Sequence, residues 1–316
     1  MLKKILITRP IAAPVLAQAK ATFLVTVHKG GKLSVVDTAR ALAQFDAILP
    51  TLGDAFTADA FIGEVRCKMI GNFGVGYNHI DTDAAAKMGV IVSNTPDVLT
   101  DATADIALTL LLATARRAGE GERIVRSGKW GGFDGGGILG THVTGKILGV
   151  IGMGRIGQAI AARCHYGFGM DVVFYNRSPK VVSVPARQLD GLHDVMAVAD
   201  FVVVATPGGV DTTKIIDEAA LAAMKPTGIL VNISRGEVVD EEALIGALEN
   251  NRIAGAGLDV YEKEPHVPSR LLALDNCVLL PHLGSATQET RQAMAQMALD
   301  NIIAWADGID PPQRVN

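Results

Sequence analysis

The stretch Lys146-Ile147-Leu148-Gly149-Val150-Ile151-Gly152-Met153-Gly154-Arg155-Ile156-Gly157 decides the fold. An apolar run of strand character enters a G-x-G-x-x-G turn, and a helix-like segment, Gln158 to Cys164, leaves it. Gly152 permits the tight turn, Gly154 lets the backbone approach a pyrophosphate, and Gly157 lets the helix pack closely on the strand. The start of that helix offers N–H groups and a positive dipole end to an anion. A second strand, Asp171 to Tyr175, ends about 20 residues further on, as a dinucleotide-binding βαβ unit requires. Arg155 and Ile156, inside the turn, join the three glycines as cofactor-contact candidates.

The end of the second strand bears on which dinucleotide is held. NAD-binding units of the Rossmann type place Asp or Glu there, on the adenine ribose. Here the strand runs out through Asn176, Arg177 and Ser178. A carboxylate beside a 2'-phosphate costs on the order of 4 kcal/mol at about 4 Å and an effective dielectric of 20, so its absence removes the element that rejects NADP. The Arg177 guanidinium can fork onto phosphate oxygens, with Asn176 and Ser178 as neutral donors beside it. NADPH is therefore the expected cofactor, with NADH possible. A solvated loop arginine beside an asparagine turn former is the plainer alternative.

Working outward, alternating strand and helix signals precede the fingerprint. Short apolar runs at Ile5 to Thr8, Phe23 to Val27, Phe45 to Leu49, Lys68 to Gly71 and Val90 to Ser93 predict a small parallel open-sheet domain. Asp101 to Ser127 reads as one helix leading the chain onward, and a glycine-rich arm, Gly128 to Gly140, follows. After the fingerprint, strands are expected at Phe201 to Ala205, Gly228 to Ile233, Ala254 to Val260 and Cys277 to Leu280. A last helix, Thr287 to Trp305, is long enough to pack back across the first domain, giving two crossovers. The Pro-rich tail, Asp310 to Asn316, is expected only to be surface-exposed.

Composition excludes several classes. The 316 residues allow two domains, and 49% hydrophobic with 20% charged residues is that of an ordinary globular protein. A net charge of -4 without a basic cluster argues against a nucleic-acid partner. No apolar stretch approaches membrane-span length, and Met1-Leu2-Lys3-Lys4 leads into a strand, so no membrane association and a cytoplasmic location are expected. Cys67, Cys164 and Cys277 lie far apart with no C-x-x-C spacing, which predicts inert thiols and no metal.

In open α/β sheets ligands bind beyond the carboxyl ends of the strands. Three polar residues follow strand runs in this way: Arg235 after Gly228 to Ser234, Glu264 a short turn after Leu258 to Tyr261, and His282 after Cys277 to Pro281. A guanidinium can hold the carboxylate of a 2-oxo acid and polarise its carbonyl. An imidazole titrating near neutrality can supply the proton, and a carboxylate can orient it and raise its pKa. Singly, Arg235 reads equally well as a structural arginine, His282 as a core histidine and Glu264 as a turn acid. Their joint placement favours hydride-transfer chemistry.

Four motifs in order, Gly152 to Gly157, Asn232-Ile233-Ser234-Arg235-Gly236, Gly257-Leu258-Asp259-Val260-Tyr261 through Glu264-Pro265, and Pro281-His282-Leu283-Gly284-Ser285-Ala286-Thr287, make the chain resemble the D-isomer-specific 2-hydroxyacid dehydrogenases over nearly its full length. The resemblance makes Arg235, Glu264 and His282 catalytic. It also assigns Asp259 to the nicotinamide carboxamide and Thr206 and Pro207 to the adenosine half, and adds Ile233 and Gly284 to the cofactor contacts. Gly74 to Asp81 matches the family's substrate turn, whose backbone N–H groups hold the carboxylate, so Val75 and Gly76 join Arg235 and His282 as substrate-binding residues; a glycine nest suits an anion. His79 is not expected to be catalytic.

The implied fold is α/β, two open doubly wound parallel-sheet domains: a smaller flavodoxin-like substrate domain of residues 1–98 with 287–316, and a Rossmann cofactor domain of residues 99–286. Within the family, Asn176-Arg177-Ser178 and Thr95 to Thr100 resemble the glyoxylate and hydroxypyruvate reductases. The implied activity is NADPH-dependent reduction of small 2-oxo acids by a homodimer. Some hydroxypyruvate reductases place a Trp in the arm, where Gly135-Gly136-Gly137 offers no aromatic. An NAD-dependent D-lactate-type dehydrogenase and a non-catalytic dinucleotide-sensing scaffold are the alternatives.

Overall fold

The computed structural model describes residues 2–133 and 135–316, and the chain divides into two compact units, Met1–Leu99 with Ala286–Asn316, and Thr100–Ser285. The first unit carries strands β1 (Lys4–Ile7), β2 (Leu24–Val27), β3 (Ala47–Leu49), β4 (Met69–Gly71) and β5 (Ile91–Ser93). They form one parallel sheet in the order β2-β1-β3-β4-β5, the flavodoxin-like winding. Successive side chains point to opposite faces. Leu6, Ile48, Ile70 and Val92 enter one core, while Ile5, Ile7, Leu49 and Met69 enter the other. The last helix, Gln288–Ala306, fills that second core with Ala295, Ala298, Leu299 and Ile302.

The tail departs from the expectation of simple surface exposure. Arg314 bridges antiparallel to Ser93, the Val315 N–H donates to the Val92 carbonyl, and the Asn94 N–H donates to the Gln313 carbonyl. Asn316 accepts from the Val92 N–H at 2.8 Å and donates to the carbonyls of Val90 and Thr82. The tail thus covers the free side of β5. A hydrogen-bonding edge has no hydropathy signature, which is why the polar tail read only as exposed.

The second unit has seven parallel strands, β6 (Ile147–Ile151), β7 (Asp171–Tyr175), β8 (Arg187–Gln188), β9 (Phe201–Val204), β10 (Ile229–Asn232), β11 (Gly255–Leu258) and β12 (Cys277–Leu279). Their order is β12-β11-β10-β9-β6-β7-β8, a Rossmann sheet extended at one edge. Val150, Val203 and Val231 pack under helices Thr100–Ala115 and Arg155–Phe168, and Val202, Val204 and Leu230 pack on the opposite face. Two covered faces explain why these strands are continuously apolar. All three cysteines are buried, and burial pushes each thiol up to about 12. Among the described residues, no helix is long and apolar enough to cross a membrane and no group of His, Cys, Asp and Glu could hold a metal ion.

The single helix expected over Asp101 to Ser127 is two, Thr100–Ala115 and Ala118–Arg126. Arg117 adopts a left-handed conformation (φ 50°) and pairs with Glu120 at 2.7 Å, while the Thr141 N–H takes the Ala115 carbonyl at 2.7 Å. The returning arm therefore caps and ends the first helix, a tertiary contact that overrides local propensity. Within the arm, residue 134 lies outside the described residues. Trp130 and Phe133, ahead of the glycine run, do give the arm exposed aromatics.

Candidate active site

The fingerprint turn meets the steric demands of a phosphate cradle. Gly152 has φ +98°, and a Cβ there would lie 2.7 Å from the Thr206 nitrogen; at Gly157 it would lie 2.2 Å from the Gly152 oxygen. At Gly154, by contrast, nothing lies within 4 Å, so a side chain would fill only the open space above the turn. Gly154 is the N-cap of Arg155–Phe168 and no side chain caps that helix end. Open space over a helix start suits a pyrophosphate, so the residues present fit a dinucleotide. Arg155 is exposed and Ile156 half-buried on the first turn.

The flanking loops close on this turn. The Asn176 side-chain oxygen accepts from the Met153 N–H at 3.0 Å, pinning the fingerprint to the end of β7. Its amide oxygen is thus engaged by the turn, a structural duty added to the ligand-donor role expected of it. Gln188 donates to the carbonyls of Asn176 and Ser178. Arg177 pairs with Asp211 of the loop after β9 at 2.9 Å, both side chains exposed. Asp211 was not singled out from sequence; a lone acid in a glycine-rich loop carries no signal of its partner. In the same loop, the Thr206 carbonyl accepts from the Ser234 hydroxyl and the Pro207 carbonyl accepts from the Thr212 hydroxyl at 2.7 Å.

Arg235 is set by the residues just before it. The Asn232 side chain donates to the Arg235 carbonyl and accepts from the Ser234 N–H, both at 3.0 Å, an Asx-type turn at the end of β10. Ile233 between them is a core residue, so its side chain is committed to packing and leaves only the backbone for the cofactor contact expected of it. The Arg235 guanidinium donates to the Ser234 carbonyl at 2.8 Å. Burial lowers its pKa, with the carboxylates of Glu264 and Glu237 opposing that, and a guanidinium stays charged regardless. Gly236 lets the next loop approach: a Cβ there would lie 1.9 Å from the Tyr261 carbonyl carbon.

That next loop brings acid and imidazole together. His282 Nδ1 lies 2.9 Å from Glu264 Oε2, and Glu264 Oε1 accepts from the Tyr261 N–H at 3.2 Å. Burial works to raise the Glu264 pKa, but the His282 hydrogen bond and charge, the Tyr261 N–H and the Arg235 charge together hold it below the ordinary carboxylate value. An ionised Glu264 fixes the proton on Nδ1 and leaves Nε2 as the atom that can exchange one. His282 has φ 56°, rare for a residue with a side chain and worth about 1–3 kcal/mol of strain. Asp259 holds this conformation: its carbonyl accepts from the His282 N–H, and its carboxylate takes the N–H groups of Leu283 at 2.6 Å and Gly284 at 2.8 Å. Burial raises the Asp259 pKa against those two bonds. Asp259 and Gly284 thus have a loop-positioning duty besides the cofactor contact expected of them.

In the first unit, Val75 and Gly76 occupy the turn after β4. Asn72 donates to the carbonyls of Gly74 and Gly76 at 3.0 and 3.1 Å, and Asn94 donates to that of Val75 at 2.9 Å. Three successive carbonyls of the turn are thus engaged by side-chain amides, which fixes its backbone conformation. Neither asparagine was identified from sequence, because each acts through its neighbours' backbone.

Comparison with known proteins agrees with this architecture. Residues 108–284 match the NAD binding domain of the D-isomer specific 2-hydroxyacid dehydrogenases. The chain is 43% identical to a glyoxylate reductase of Thermococcus onnurineus across 100% of this chain and 96% of that one, and 46% identical to one of Thermococcus kodakarensis across 86% and 83%. Among solved structures it superposes with TM-score 0.90 and 34% identity on an NADPH-dependent glyoxylate/hydroxypyruvate reductase of Sinorhizobium meliloti in complex with NADP and malonate, covering 100% and 97% of the two chains. The fold and site define a nicotinamide-dinucleotide-dependent oxidoreductase acting on 2-oxo acids. The chain belongs to the D-isomer-specific 2-hydroxyacid dehydrogenase family.

Proposed function

We propose that this protein is an NADPH-dependent reductase of glyoxylate and hydroxypyruvate, with Arg235, Glu264 and His282 as its catalytic residues. The observation that carries the reading is the 2.9 Å contact of His282 Nδ1 with an ionised Glu264, in the same unit as a fingerprint open above Gly154. The bound dinucleotide supplies a hydride to the carbonyl carbon. Arg235 holds the substrate carboxylate and polarises the carbonyl oxygen, where negative charge accumulates. His282 Nε2 delivers a proton to that oxygen, and Glu264 stabilises the imidazolium that must exist beforehand. Val75 and Gly76 take the carboxylate on their N–H groups. In the oxidative direction neutral His282 is the base.

Preference for NADPH rests on Arg177 and on the lack of a carboxylate at the end of β7. The glyoxylate reductase names of the relatives at 43–46% identity and the NADP bound to the Sinorhizobium protein support substrate and cofactor alike. Steady-state kinetics with glyoxylate, hydroxypyruvate and pyruvate, each with NADPH and NADH, test the reading. Absence of NADPH oxidation by folded protein with all three acids overturns it.

We further infer a homodimer built on the second unit. Val125, Trp130, Phe133 and Leu139, in or beside the arm, are exposed apolar side chains, Phe133 at 98%, which a second copy of the arm's surroundings can cover. Sedimentation equilibrium that gives a monomer at micromolar concentration overturns this.

A further inference from the structure

A cavity of about 220 Å³ lies in the first unit, lined by Arg9, Pro10, Ile11, Ala12, Thr51, Phe73 and Arg291. Its two guanidiniums differ in their surroundings. Arg9 donates to the fully buried carboxylate of Asp54 at 3.0 Å, and Asp54 also accepts from the N–H groups of Leu33 and Thr51. That pair is neutral. Arg291 sits over the face of Phe73, its Cζ 5.7 Å from the ring centroid, and among the described residues no carboxylate pairs with it. It is half-buried, and burial alone, with no acidic neighbour opposing it, lowers its pKa. A guanidinium taken partly out of water without a counter-charge is costly, because the protein must replace hydration with something negative. The cavity therefore carries one uncompensated positive charge against an apolar wall.

Its position names the ligand. Phe73 is both a wall of the cavity and the residue that leads from β4 into Gly74, Val75 and Gly76. Extended backbone from Phe73 to Val75 spans at most about 7 Å, so the cavity and the proposed carboxylate nest are close neighbours at the carboxyl edge of one sheet. Glyoxylate has no atoms to reach from one to the other.

We propose that Arg291, with Arg9 and Thr51 beside it, forms a second anion subsite that takes the remote carboxylate of a 2-oxo dicarboxylate. The inference rests on the reading of Val75 and Gly76 as the holders of the first carboxylate. Phe73 is the apolar floor along which the connecting methylenes lie, and Arg291 is a specificity-determining residue that touches the far end of the substrate.

The test compares 2-oxo acids of equal carbon count that end in a carboxylate or a methyl group, 2-oxoglutarate against 2-oxopentanoate, with glyoxylate as the acid too short to reach. Wild type, Arg291→Gln and Arg291→Lys are measured as intact proteins, with melting temperatures as the check on folding. Wild type is expected to favour the diacid over its methyl counterpart. Arg291→Gln should lower kcat/KM for the diacid roughly ten- to a hundredfold, chiefly through KM, the effect of a charge-assisted hydrogen bond lost. Glyoxylate turnover should stay within about twofold, and Arg291→Lys should restore part of the diacid preference. If glyoxylate is reduced but the diacid gains nothing over its counterpart, or if Arg291→Gln depresses glyoxylate and diacid alike, the subsite is wrong while the reductase reading stands. If wild type reduces none of the three acids, both fall. A phosphorylated 2-oxo acid that outcompetes 2-oxoglutarate, with the advantage lost in Arg291→Gln, assigns the charge to phosphate and overturns the carboxylate.

Discussion

Arg177 and Asp211 pair across the strand that leads into the fingerprint: β7 and β9 flank β6 on either side, and residues that follow them meet at 2.9 Å. The arginine that would hold a 2'-phosphate is thus already balanced by an acid. A carboxylate absent from the end of β7 has been supplied by a different loop.

Arg177→Ala should lower kcat/KM for NADPH roughly ten- to a hundredfold and leave NADH nearly unchanged. Asp211→Asn should act in the opposite sense and raise kcat/KM for NADPH up to about fivefold, since one unit of like charge near 4 Å is worth about 1 kcal/mol in water. Initial rates with both cofactors at fixed glyoxylate decide it. An NADH preference untouched by Arg177→Ala removes the phosphate assignment.

His282→Ala should reduce turnover about 10²- to 10⁴-fold with little change in the Kd for NADPH, because only the proton transfer is lost. Arg235→Lys should raise KM for the oxo acid and also depress kcat, since an ammonium cannot reproduce the two-pronged grip. Fluorescence titration of cofactor beside the kinetics separates binding from chemistry. Near-normal turnover in His282→Ala rules out its role as acid.

The glycines should part company on mutation. Gly154→Ala places its methyl in open space and should leave the melting temperature within about a degree while weakening cofactor binding. Gly236→Ala drives a methyl to within 1.9 Å of the Tyr261 carbonyl carbon, and should cost about 1–3 kcal/mol or more of stability. Thermal melts with and without NADPH read both effects. Equal destabilisation by the two changes contradicts the cradle.

Glu264 offers a pH test. Its folded pKa is depressed, so its share of stability is present above the unfolded value, about 4.3, and is lost as pH falls through the folded one. The difference in stability between wild type and Glu264→Gln should therefore be steady near neutrality and shrink in acid. Urea melts across that range measure it, and a gap that widens as pH falls means the carboxylate is not held ionised.

Much of this was legible in the sequence because buried parallel strands write themselves as apolar runs, and the polar residues just past them mark the ligand edge. The strands fall within two or three residues of their expected ends, apart from the two-residue β8, whose Arg187 and Gln188 carry no apolar signal. Arg235, Glu264 and His282 do lie at one edge of one sheet, with acid and imidazole in contact. The rest depended on partners distant in the chain. Thr141 ends a helix at Ala115, Asn94 turns the carbonyl of Val75, Asp211 finds Arg177, and Asn316 closes the side of β5. A polar residue announces its capacity for a bond; its partner is set by the fold.

The first unit is assembled from both ends of the chain, with Ala298, Leu299 and Ile302 sharing a core with Ile5 and Ile7. On the ribosome this imposes an order of events. The strands of the first unit are made before the helix that walls their second core, and the whole second unit is synthesised in between. The older half can close only after the helix Gln288–Ala306 has emerged, so the nascent chain carries an open apolar flank while the second unit is being made.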